Sequence, residues 1–175
     1  MALDPRSGMF TGESFHNLDT KHRVFVPKRF QLALGSTSEG ATRLVLTRGF
    51  ENCLFLFSME GFDEVLRRLK TQPFGGARMR NMQRRFFAHV TETQLDASGR
   101  VLLPDKLRRY AEIEKEVAMV GVADRAEIWD RARWERFEEE GADEYDELDS
   151  VLCGDSFPET QEDPKADAER NGGFQ

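Results

Sequence analysis

The chain has 175 residues, of which 39% are hydrophobic and 33% charged, and its formal net charge is −7. That is enough for one domain of moderate size, and no run approaches the ~18 consecutive apolar residues of a membrane-spanning helix. Two cysteines, Cys53 and Cys153, form neither a disulfide framework nor a zinc pattern, and the first residues lack the apolar stretch of a secretory signal; a cytoplasmic location is expected.

The charge is unevenly spread. Residues 138–175 hold 14 acids and 2 bases, a net −12, whereas residues 1–137 hold 18 acids and 23 bases, a net +5. The acidity therefore belongs to a tail, and the mildly basic body remains open to polyanionic partners. After Leu152 only Phe157 and Phe174 are large and apolar, too few to offset the ordering entropy by burial. The tail is read as 141–175 and as disordered from about residue 149. It serves solubility or competes with a nucleic acid for the basic face. Residues 1–8 are a short extension, also expected to be disordered.

In chain order, residues 10–15 suit a strand and 17–22 a polar turn. Val24 and Val26 share one face of the next strand, with Phe25 on the other. Pro27 fits the first position of a short helix over 27–34, where Phe30 and Leu34 form an i,i+4 pair. Apolar strands follow at 44–46 and 54–57, with a turn over 49–52 between them, and then a helix over 62–69. Cys53 reads as a small core residue. Met79, Met82 and Phe86 mark an amphipathic helix, led in by Pro73-Phe74-Gly75-Gly76.

The chain then repeats itself. Leu18-Asp19-x-x-x-Arg23-Val24-x-apolar-Pro27 returns as Leu95-Asp96-x-x-x-Arg100-Val101-x-apolar-Pro104, offset by 77 residues. A short helix over 104–111, strands at 117–120 and 127–129 and a helix over 131–137 complete the second copy. Each copy is too small to bury a core alone, so the two are expected to pack on each other as a pseudo-symmetric pair. The boundaries are 9–70 for the first copy, 71–88 for an intervening loop and helix, and 89–140 for the second. The fold class is α+β and rich in strands.

An aspartate in such a turn accepts backbone N–H groups two or three residues on and pins the loop. The arginine four positions later either folds back on that aspartate as a local ion pair or projects to meet a phosphate or a guanine edge. Two matched turns related by a pseudo-dyad favour the second role, because a double-helix reader presents paired elements. The pairs Lys28/Arg29 and Arg108/Arg109, just beyond the motif strands, are candidate phosphate contacts, as is His22. Residues 65–91 contain seven bases and no acid, which suits a solvated face, phosphate contact or pairing with acids of a neighbouring subunit.

The doubled motif, Met9-Phe10-Thr11-Gly12, Leu46-Thr47-Arg48-Gly49-Phe50 and Val120-Gly121-Val122 leading to Glu127-Ile128-Trp129-Asp130 resemble the MraZ family over residues 9–140. The resemblance implies a swapped-hairpin β-barrel of the AbrB/SpoVT-like class, made from two internal repeats and flanked by helices. It implies a nucleoid-associated transcriptional regulator of the bacterial division and cell-wall gene cluster, binding short repeated promoter elements in double-stranded DNA, and a ring-forming, octamer-like homo-oligomer. Carried over position by position, the DNA loop residues are Asp19, Lys21, Arg23, Asp96, Ser98 and Arg100. His22 stands where the family pattern has glycine; if that position needs positive φ, histidine is costlier there by about 1 kcal/mol.

No catalytic constellation is expected. His16, His22 and His89 have no metal-ligand spacing, no serine has a nucleophile-elbow context, and there is no glycine-rich phosphate loop. No metal, cofactor, membrane or small-molecule substrate is anticipated. The competing reading is a protein-interaction or antitoxin-like module whose acidic tail wraps a partner. Phe86, Phe87, Trp129 and Trp134 are assigned to core packing rather than to base stacking.

Overall fold

The apolar patterning, with Pro27 and Pro104, sets out thirteen short elements among the described residues. The computed structural model describes residues 8–35, 40–71 and 76–141, and beyond these Tyr145, Glu147, Leu148, Val151 and Leu152. In order they are β1 (Phe10–Asn17), β2 (Arg23–Phe25), α1 (Lys28–Leu34), β3 (Arg43–Arg48), β4 (Leu54–Ser58), α2 (Met59–Thr71), α3 (Ala77–Phe87), β5 (Thr91–Gln94), β6 (Arg100–Leu102), α4 (Asp105–Tyr110), β7 (Glu116–Ala123), β8 (Arg125–Asp130) and α5 (Arg131–Glu140). The disorder expected of residues 1–8 and of the tail from 149 falls, apart from Gly8, Val151 and Leu152, outside the described residues. The chain divides into two units within α5, at Arg136 and Phe137. In the second unit Gly141 N–H donates to Phe137 O at 3.0 Å.

Pro27 and Pro104 sit one position earlier than expected. Both are extended (φ −52°, ψ 143° and φ −58°, ψ 140°) and act as N-caps of α1 and α4 rather than as first helical residues. Their carbonyls accept from Phe30 and Gln31, and from Leu107 and Arg108. Lacking an N–H, a proline also ends the strand before it.

Six strands form one antiparallel sheet in the order β1-β7-β8-β4-β3-β5, and β2 and β6 form a separate two-stranded ribbon. The structure is thus mixed α/β and strand-rich, with the helices α1 to α5 beside its strands among the described residues. The closed barrel implied by the resemblance is not formed, since β1 and β5 are the two edges of an open sheet. The motif strands are only three residues long and run into their prolines, so the ribbon cannot lengthen to close the ladder.

The pairing follows the repeat. In the ribbon Val24 lies opposite Val101, its counterpart at offset 77, and Arg23 and Phe25 face Leu102 and Arg100. In the sheet β1 pairs with β7 of the later half, while β5 of the later half pairs with β3 of the earlier one. Leu18 N–H to Lys115 O (2.8 Å) and Leu95 N–H to Thr42 O (2.9 Å) are equivalent bonds. The pseudo-two-fold therefore passes between β4 and β8 and through the ribbon.

The core lies on both faces of the sheet, which explains the near-continuous apolar runs of β3 and β4. Leu44, Leu46, Leu54 and Leu56 join Val24, Phe30, Val101, Leu107 and Ile128 under the ribbon. On the opposite face Val45, Phe55 and Phe57 pack with Cys53, Phe62, Trp129 and Trp134. Burial pushes the Cys53 thiol well up, as befits a core residue. Trp129 and Trp134 take the core places expected of them and Phe86 packs against the same cluster, but Phe87 is 43% exposed.

Candidate nucleic-acid interface

Each motif turn is built by its aspartate. Asp19 Oδ1 accepts the N–H of Lys21 (2.8 Å) and of Arg23 (3.0 Å); Asp96 Oδ1 accepts those of Ser98 and Arg100 (both 2.9 Å). Backbone bonds close the same loops, from His22 to Asp19 O (2.9 Å) and from Gly99 to Asp96 O (2.8 Å). His22 has φ +57° and Gly99 φ +72°, so the position does demand the left-handed region, and histidine pays there what glycine does not. This conformation aims the two carbonyls across the pseudo-dyad: His22 O accepts from Leu103 N–H (3.0 Å) and Gly99 O from Val26 N–H (2.9 Å).

The arginines do more than close their own turns. Arg23 donates from Nε and Nη2 to Asp19 Oδ2, both at 2.8 Å, and from Nη1 to Asp96 Oδ2 at 3.2 Å. Arg100 mirrors it, with Nε and Nη2 on Asp96 Oδ2 at 2.9 Å and Nη1 on Asp19 Oδ2 at 3.2 Å. Four side chains from two turns thus form one neutral cluster on the pseudo-dyad, each 27–31% exposed. The backbone N–H of Arg23, reinforced by its guanidinium and by Lys21 N–H, holds the Asp19 carboxyl down at about 2. Asp96 is lowered in the same way, first by Arg100 N–H. Three of the five N–H groups of each guanidinium are engaged, leaving one on each terminal nitrogen.

Around the cluster the other candidate residues fare differently. Lys21 and Ser98 are exposed at the turn tips. His22 is 44% exposed, with Nδ1 3.7 Å from Asp105 Oδ1. Lys28 is exposed and donates to Gln31 Oε1 (3.1 Å), and Arg109 is exposed. Arg29 spans the edge of β1, donating to Thr11 O (3.0 Å) and Glu13 O (2.6 Å). Arg108 is 19% exposed and bonds to Ile113 O and Asp105 Oδ1, both at 3.3 Å. In the basic segment of α2 and α3, Arg67 and Arg68 pair with Glu64. Among the described residues no group of three or more histidine, cysteine or acidic side chains is placed to hold a metal ion.

Two participants escaped the sequence reading. Asp105 stands beside His22 although 83 positions separate them, and Gln31 packs its amide where a Cβ on Gly99 would lie, at 2.3 Å. Both contacts depend on the crossing of the halves at the ribbon. The family pattern of glycine at this turn position was the available signal; φ +72° is its physical reason, and the Gln31 amide fills the space it leaves.

These elements define a two-fold-related pair of Asp-x-x-x-Arg turns, locked to each other by shared ion pairs and carried on a strand-rich α/β body. Comparison with known proteins places that architecture. The family model described as "MraZ protein, putative antitoxin-like" matches residues 9–85 and again 86–150. The protein named transcriptional regulator MraZ of Moorella thermoacetica is 44% identical over 140 residues, spanning 80% of this chain and 94% of its own. Its namesake of Desulforamulus reducens is 41% identical over 140 residues with the same coverage, and that of Acetivibrio thermocellus 40% over 129 residues, 74% of this chain and 86% of its own. The chain belongs to the MraZ family.

Proposed function

We propose that this chain is a sequence-specific DNA-binding transcriptional regulator whose paired Asp-x-x-x-Arg turns read short repeated promoter elements of the bacterial division and cell-wall gene cluster. The relatives bear the name of transcriptional regulators, and the body carries the excess of bases that phosphate contact requires. The observation that carries the reading is the shared cluster: Arg23 and Arg100 each touch both aspartates, so the two turns are adjacent and act as one element.

In this mechanism Asp19 and Asp96 position the arginines, and the spare N–H groups on Nη1 and Nη2 form the fork that matches guanine O6 and N7. Lys21 and Ser98 at the tips, with His22, Lys28, Arg29, Arg108 and Arg109 around them, meet backbone phosphates and set the register. Residues 9–70 and 89–140 act as two copies joined by 71–88, and the crossed pairing of β1 and β5 supports kinship with the swapped-hairpin class. Several chains joined in an octamer-like ring multiply one weak contact over several promoter elements. Such a protein works in the cytoplasm at the nucleoid and catalyses nothing.

The antitoxin-like wording of the family description keeps a protein-interaction module as the second reading. A mobility-shift titration on the DNA immediately upstream of the gene separates the two. A ladder of shifts that grows with the number of repeats, and is lost in Lys21→Ala and Arg23→Ala proteins that remain folded, supports the regulator. Equal retardation of unrelated duplexes refutes it.

A further inference from the structure

The two turns superpose in hydrogen bonding yet differ in chemistry at their tips. The first reads Thr20-Lys21-His22 and the second Ala97-Ser98-Gly99. Both carry one residue with positive φ, at position 22 or 99. Glycine adopts that conformation freely, and His22 adopts it as Glu51, Asn52, Glu112 and Ala123 do elsewhere; what sets position 22 apart is the imidazole it places at the turn tip.

We propose that His22 gives the first turn an acid-strengthened grip on DNA phosphate that the second turn lacks, an inference that rests on the DNA-binding reading above. The imidazole is 44% exposed beside the exposed Lys21. Its Nδ1 faces Asp105 Oδ1 at 3.7 Å, and among the described residues Nε2 has no partner. Neutral imidazole has one donor. Protonated imidazole has two, so Nδ1 can donate to Asp105 while Nε2 donates to a phosphate oxygen.

The charged groups around it come from two elements. Asp105 faces it from α4, with Arg108 bonded to Asp105 at 3.3 Å. From its own turn come Lys21 and the pair Asp19 and Arg23, already bonded to each other. An incoming phosphate adds a negative charge on the open side, so binding and protonation reinforce each other. The second turn, with Ser98 and Gly99, has no such coupling, and the two halves of the reader therefore grip unequally below neutral pH.

The test is fluorescence anisotropy with the full-length protein and a fluorescein-labelled duplex of the DNA immediately upstream of the gene. It compares about pH 6 with about pH 7.5 at fixed salt, a range that spans histidine titration. Wild type is expected to tighten roughly three- to tenfold at the lower pH, with a log–log salt slope steeper by about one phosphate. His22→Gln, which keeps a polar side chain, and His22→Gly, which relieves the backbone, should each change by less than about twofold. Circular dichroism establishes that both variants are folded. Tightening of the variants equal to that of wild type overturns the inference while leaving DNA binding intact. Absence of wild-type binding at both pH values overturns the DNA-binding reading and this inference with it.

Discussion

Val24 faces Val101 across the β2–β6 ribbon, and both side chains are fully buried. The two residues are equivalents in the repeat, so the pseudo-two-fold runs between them. Strand alternation then turns their neighbours to the other side of the ribbon: Arg23 stands opposite Leu102, and Arg100 opposite Phe25. With both arginines so near the axis, each guanidinium reaches the aspartate of the other turn, and two local ion pairs become one four-membered cluster.

Because the cluster is shared, its arginines do not act independently. Arg23→Ala removes one of the two arginine partners of Asp19 and one of the two of Asp96, so Arg100→Ala in addition has less left to break. Each single substitution should lower the thermal midpoint by several degrees. The double variant should fall short of the sum, since residues of one network couple. Thermal melts of the three proteins, followed by circular dichroism, measure the coupling. Strict additivity would show that the cross-dyad bonds contribute nothing.

Acid should open the same cluster. Asp19 is held at about 2 and Asp96 is also lowered, whereas both aspartates in the unfolded chain titrate near ~3.9. A depressed carboxyl contributes stability that is complete above the unfolded value and is lost as pH falls through the folded one. Stability should therefore decline between about pH 4 and pH 2 on account of these groups. Urea midpoints measured across that range should fall for wild type, and less steeply for a protein carrying both Asp19→Asn and Asp96→Asn.

Much of this was legible before any coordinates. The repeat at offset 77 brings Val24 to Val101, and the alternation of Val24, Phe25 and Val26 and the proline stops marked the ribbon strands. Two things were not. The offset is 77 at the motif, but the pairings relate Leu44 to Val117 and Leu56 to Ile128, offsets of 73 and 72. Loop-length differences thus shift the register of the later strands, although the repeat already matched 44–46 with 117–120 and 54–57 with 127–129 as elements. Nor does a local pattern reveal that β1 pairs with β7 of the other half, because an alternating strand suits either partner. For the same reason the Arg23 motif was open to both a local ion pair and an outward role. Nor was it legible that Arg29 bonds β1 carbonyls, because those residues lie 16 and 18 positions away.

The crossing of halves also makes one glycine critical. Gly121 of β7 faces Gly12 of β1, and a Cβ on Gly121 would lie 2.3 Å from Thr11 N. That atom is backbone and cannot swing aside, so β1 would have to leave the sheet edge. Gly121→Ala should cost roughly 2–3 kcal/mol, at the upper end for overpacking. Urea unfolding measures it. A loss under about 0.5 kcal/mol, the range of an ordinary surface substitution, would mean that β1 is not held at this register.

The flanking cations should separate into two kinds. Lys28 and Arg109 are exposed, so replacing either by alanine should leave the melting temperature within about 2 °C, the scale of an ordinary surface change. On the proposed DNA-binding function, each replacement should also reduce the log–log salt slope of affinity by about one. Arg29 differs, because its guanidinium occupies the carbonyls of Thr11 and Glu13 on the free edge of β1. An uncovered edge is a template for pairing with another chain. Arg29→Ala should therefore lower the melting temperature and promote self-association on heating, visible as light scattering, whatever it does to DNA affinity. If Arg29→Ala instead changed only the salt slope, its bonds to β1 would be incidental to the fold, and phosphate contact would be its one role.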